Sequence, residues 1–100
     1  MERKLIAIAV SSGKISMLEA FTFFHFARGV AEITPLANGN IQKRGMFLFE
    51  KGEKGEPDEY YYYQVILNPQ KRKVSIKEEM FLDEDTDIFR EIDKELKSCL

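Results

Sequence analysis

Residues 59 to 68, EYYYYQVILN, constrain this chain more than any other stretch. Successive side chains of a strand point to opposite faces. Tyr61, Tyr63, Val65 and Leu67 therefore line one side, and Tyr60, Tyr62, Gln64, Ile66 and Asn68 the other. The first set is unbroken and apolar, which assigns it to the core. A hairpin closing through Pro69, Gln70, Lys71 and Arg72 sets Leu67 opposite Val74 and Val65 opposite Ile76, so that apolar meets apolar. A slip of one residue would turn Arg72 or Lys73 toward the core. The same register sets Gln64 opposite Lys77, Tyr62 opposite Glu79 and Tyr60 opposite Phe81. The second face then carries aromatic rings among charges.

The other segments are read around this strand. Residues 4 to 10, KLIAIAV, form a short apolar run that the flanking SSGK favours as a strand. Ser16 with Glu19 three positions on makes a capping box, Ile15 can staple onto Ala20, and Gly29 supplies a stop, which together predict a helix between them. Its apolar face holds Met17, Ala20, Phe21, Phe23, Phe24 and Ala27, with Phe26 an exception on the polar side. A strand reading of FTFFHFA competes, because phenylalanine is a good strand former. Pro35 and Asn38-Gly39 mark a turn, with a further short strand near Ile33. IQKRGMFLFE and KVSIKEEMF flank EYYYYQVILN as strands, joined by KGEKGEPD and NPQKRK. The last segment opens on acids, closes on lysines and carries the stripe Ile88, Phe89, Ile92, Leu96 and Cys99, which predicts a helix. The expected fold class is α+β: one domain over residues 1 to 100, an antiparallel sheet of about four strands in the order β-α-β-β-β-α, with two helices largely on one face.

Composition removes several functions. With 15 Lys and Arg against 17 Asp and Glu the chain lacks the positive field of a sequence-independent nucleic-acid binder. The charge is uneven: residues 1 to 49 hold six basic against three acidic side chains, and residues 50 to 100 nine against fourteen. Cys99 is the single cysteine, so no intramolecular disulfide and no multi-cysteine metal site can form. LIAIAV is too short for a secretory h-region, and no window approaches the ~20 apolar residues of a membrane span. A cytoplasmic location is expected.

The chemical motifs fail on inspection. SSGKIS has the Gly-Lys pair of a phosphate loop but puts Ile8 where the first glycine belongs and Ile15 where Ser or Thr must follow. Asp83, Asp85 and Asp87 open like a calcium loop, yet Ile88 and Lys94 stand where glycine and glutamate are required. His25 is the only histidine and has no local nucleophile or second ligand. No catalytic residue, cofactor or metal is expected.

What remains is a non-catalytic protein-interaction module that meets a protein partner, or a second copy of itself, through the aromatic sheet face. Its candidate contacts are Tyr60, Tyr62, Ile66, Lys77 and Phe81. The competing account has Tyr60 and Tyr62 packed beneath the N-terminal helix or against the FLF strand. Two alternatives stand beside it: a single-stranded nucleic-acid binder using Tyr60, Tyr62, Lys73 and Lys77, and a small-ligand binder with a pocket between the phenylalanine-rich helix and the sheet, where His25 and tyrosine hydroxyls would be the polar groups.

Overall fold

Asn38 and Gly39 both take positive φ, 64° and 77°, the conformation an Asn-Gly turn adopts at least cost. The amide of Leu36 donates to the Asn40 carbonyl at 2.8 Å, and β1 (Val30–Pro35) folds back onto β2 (Ile41–Glu50). In the computed structural model, which describes residues 4–99, β3 (Glu59–Asn68) and β4 (Lys73–Asp83) extend this into an antiparallel sheet of order β1-β2-β3-β4. The α+β class and the four-stranded antiparallel sheet match the sequence reading, and the short strand near Ile33 is β1.

The first element differs. Residues expected as a strand form a short helix, α1 (Ile6–Ser11), which leads into α2 (Met17–His25). Its own sequence offers no side-chain cap at Leu5. The cap comes from β4, where the Glu79 carboxylate accepts from the amides of Ile6 at 2.7 Å and Ala7 at 2.9 Å. A carboxylate at a helix N-terminus satisfies donors that have no intrahelical partner. At α2 the capping box forms as read, with Ser16 Oγ accepting from the Glu19 amide and Glu19 Oε1 from the Ser16 amide, both at 3.1 Å.

The helices also divide differently. Rather than sharing one face, α1 and α2 cover the first face of the sheet, and α3 (Asp87–Ser98) covers the second. Tyr61, Tyr63, Val65 and Leu67 lie in the first core with Ala20, Phe21 and Phe24, as the alternation requires. Met46, Tyr62 and Leu82 meet Phe89, Ile92 and Leu96 of α3 in the second. The apolar stripe of α3 has this face to itself. Both sides of β3 are therefore buried, which explains how one strand accommodates four large rings in succession.

The register holds from the hairpin as far as Val65↔Ile76, after which a bulge leaves Lys77 unpaired and Gln64 pairs with Glu78. Every later position is displaced by one: Tyr63↔Glu79, Tyr62↔Met80, Tyr61↔Phe81 and Tyr60↔Leu82. The expected pairings of Gln64 with Lys77, Tyr62 with Glu79 and Tyr60 with Phe81 are thereby corrected. One extra residue exchanges the faces of all that follow. Glu79 and Phe81 turn to the first face, and Met80 and Leu82 to the second.

Candidate functional site

The five residues singled out in the sequence are not gathered on one exposed surface. Tyr62 is only 2% exposed beneath α3. Arg44 Nε donates to its hydroxyl oxygen at 2.7 Å, the guanidinium carbon lies 5.5 Å from its ring centroid, and Arg44 Nη2 reaches Glu95 Oε2 at 2.6 Å. Tyr60 is half-buried with its ring 4.7 Å from Phe89, and burial pushes its hydroxyl pKa up. Ile66 is half-buried on the same face but outside the packed clusters, and Lys77 is exposed at the bulge. Phe81 packs on the opposite face, 4.7 Å from Phe49 and 5.4 Å from Tyr61. The eight steps from Tyr60 to Asn68 span roughly 26 Å at strand rise, so the basic hairpin tip and the Tyr60 ring stand at opposite ends of β3.

On the first face the polar groups are engaged inside the fold. Tyr61 donates its hydroxyl to Glu79 Oε1 at 2.7 Å. Burial first, and then that carboxylate, raise its pKa. The Tyr63 hydroxyl is buried with no hydrogen-bond partner, and burial pushes its pKa up to about 12. Gly45 stands across from it because a Cβ there would collide with the Tyr63 phenol. Lys43 is buried, with Nζ donating to the carbonyls of Phe24 at 2.8 Å and of His25 and Ala27 at 3.3 Å. It closes the C-terminal end of α2, and burial pulls its pKa below the ordinary lysine value. His25 is exposed and stacks on Phe21 at 5.3 Å with its ring 4.7 Å from Phe26. Among the described residues no group of three or more His, Cys, Asp and Glu side chains could hold a metal ion, and no helix is long and apolar enough to cross a membrane.

The surface that does collect exposed apolar side chains lies where α2 ends over the last residues of β2. Phe26 is 71% exposed, Leu48 46% and Phe23 37%. With Phe47, Arg28 and Gly29 they line a recess of about 500 Å³. A second recess of about 300 Å³ adjoins it through Phe23, Phe47 and Leu48 and runs between the sheet, α2 and the start of α1, lined by Lys4, Ile6, Phe49, Tyr61 and Phe81. The rings of Phe23 and Phe47 meet nearly edge-on at 5.9 Å between the two. Large exposed apolar side chains scattered singly are ordinary, whereas these three border one concavity. Two sequence signals pointed here: Phe26 on the polar side of its helix, and the unbroken Phe47-Leu48-Phe49, which alternation cannot bury on one face.

No protein-family model, curated protein or solved structure matches the chain.

Proposed function

We propose that this chain is a small, non-catalytic protein-interaction module whose contact surface is the apolar edge around Phe23, Phe26 and Leu48. The observation that carries this reading is the exposure of these three side chains around one recess, in a fold that packs its other phenylalanine rings and its tyrosine rings, wholly or in part, into two separate cores. Covering such side chains with another protein removes apolar area from water at roughly 25 cal/mol per Å² before the cost of association. The aromatic-face contact is thus relocated: Tyr62 already has α3 as its partner, while Phe23 and Phe26 have none of comparable extent.

The test is capture from cell extract with immobilised wild-type protein and with Phe26→Ser/Leu48→Ser, both checked for equal thermal unfolding. A protein retained by the first and lost by the second supports the reading, whereas identical retention overturns it. A second reading, uptake of a small apolar molecule, draws on the recess of about 300 Å³ between α2 and the sheet. Saturable binding of an apolar fluorescent dye, weakened by Phe81→Ala but not by Phe26→Ser, would favour it over a protein contact.

A further inference from the structure

The turn after α1 brings a second lysine back to that helix. Gly13 takes φ +75° and the Lys14 amide donates to the Ala9 carbonyl at 2.9 Å, a reversal that closes a helix on glycine. Lys4 and Lys14, from the two ends of α1, then line one recess of about 500 Å³ between α1 and β4. Contact with Lys4, and then its charge, pulls the Lys14 pKa below the ordinary lysine value. The rest of the lining is mainly apolar. Leu5, Ile8 and Ala9, three and four positions apart on one side of the helix, are joined by Phe81 of β4. Ile8 is 62% exposed and Phe81 half-buried, so this floor is open from outside. Glu79 is the one acid among the described lining residues, and its carboxylate already accepts from the Ile6 and Ala7 amides and the Tyr61 hydroxyl. Two ammoniums and one carboxylate leave a single positive charge beside an apolar groove.

We propose that this recess binds a monocarboxylate with an apolar chain, of the fatty-acid class, its carboxylate between Lys4 and Lys14 and its chain along Leu5, Ile8 and Phe81. Two like charges held together repel, and an anion between them replaces that repulsion with charge-assisted hydrogen bonds. The single net charge matches a monoanion rather than the dianion of a phosphate monoester. The chain would cover Ile8, which the fold itself leaves in water. The recess shares no residue with the one beside Phe26, so the inference goes beyond the interaction-module reading and does not need it. It shares Lys4 and Phe81 with the recess between α2 and the sheet, so the test must tell those two apart.

Calorimetric titration of the full chain with decanoate, below its micellar concentration, and with decan-1-ol as the uncharged counterpart tests this. Decanoate should bind saturably and about tenfold more tightly than the alcohol. Lys4→Gln/Lys14→Gln should erase that tenfold advantage and leave the alcohol unaffected, and Ile8→Ser should weaken both ligands. All three substituted side chains are exposed, so the variants should unfold thermally as wild type does. No saturable binding, equal binding of acid and alcohol, or decanoate binding indifferent to the lysine variant overturns the site. Decanoate binding that survives Ile8→Ser but is lost in Leu48→Ser, a residue of the other recess alone, also overturns it and assigns the molecule to the recess between α2 and the sheet.

Discussion

On the first face of the sheet two charged side chains reach between layers, Lys43 to the C-terminal end of α2 and Glu79 to the N-terminal end of α1. On the second face α3 is laid down by Phe89, Ile92 and Leu96, with the Arg44–Glu95 pair at the rim. The difference follows from where the helix ends fall. The ends of α1 and α2 abut the sheet, where their amides and carbonyls need partners from distant strands. α3 begins in solvent-facing chain and caps itself, Thr86 Oγ1 accepting from the Phe89 amide at 3.3 Å. One face is tied by directed polar contacts across long sequence separations, and the other by apolar area.

The largest expected effects come from opening each core in turn. Phe24 and Leu96 are both fully buried, one on each face. Phe24→Ala should cost about 3 to 5 kcal/mol and Leu96→Ala about 2 to 5 kcal/mol, read from urea unfolding midpoints. Native-state amide exchange sharpens the comparison. Leu96→Ala should accelerate exchange in α3 and spare α1 and α2, and Phe24→Ala the reverse. Equal acceleration everywhere would show that the faces are one cooperative unit.

Two adjacent rings of the first face should respond with opposite sign. Tyr61→Phe strips a hydroxyl from the Glu79 carboxylate and should destabilise by about 1.5 to 3 kcal/mol. Tyr63→Phe removes a buried hydroxyl that has no partner and should stabilise by about 1 kcal/mol. Alkaline titration supplies a second readout. The folded Tyr63 pKa, about 12, lies above its unfolded value of ~10, so its contribution is complete below pH ~10 and drains away as pH rises toward 12. That loss is on the order of 2 to 3 kcal/mol, and Tyr61, raised in the same direction, adds to it. Tyr63→Phe should therefore flatten the fall in stability between pH 10 and 12. An unchanged profile would mean that Tyr63 is not what titrates.

Glu79→Gln is the next step down. The neutral amide keeps the shape but weakens three charge-assisted bonds, to Ile6, Ala7 and Tyr61. A loss of about 1 to 2 kcal/mol is expected, concentrated in faster exchange of the Ile6 and Ala7 amides. If those amides hold their protection, α1 is secured by its apolar packing and the contrast between the faces is weaker than drawn.

What was legible in the sequence follows the same division. The alternation of Tyr61, Tyr63, Val65 and Leu67, the Ser16–Glu19 box and the stripe of α3 are local patterns, each complete within a dozen residues; the first two appear in the structure, and the stripe does so at Phe89, Ile92 and Leu96, while its end residues Ile88 and Cys99 are exposed. The helical state of residues 6 to 11 was not legible, because its cap is Glu79, more than seventy positions away. Nor was the bulge at Lys77, which no Gly or Pro announces and which moved Phe81 and Glu79 to the other face. The placement of Tyr60 and Tyr62 on the second face was correct, but which helix would cover that face depends on layer arrangement, a long-range property. The candidate edge left a half-legible trace: Phe26 was visible as an exception, but its nearness to Leu48 depends on where β1 stops.

Glu95→Gln should have the smallest effect. The Arg44–Glu95 contact is short, but Glu95 is more than half exposed, so water and salt screen the pair and the expected loss is about 0.2 to 1 kcal/mol. Arg44 keeps its bond to the Tyr62 hydroxyl in the variant, so the ring beneath it should stay buried. Urea unfolding of wild type and variant at low and at high salt checks both points: the small difference should shrink as salt rises, and tyrosine exposure should not change. A loss above about 2 kcal/mol, persisting in high salt, would show that the second face also hangs on a charge. The contrast between a face tied by polar contacts and a face closed by apolar area would then fail at the side where it is now clearest.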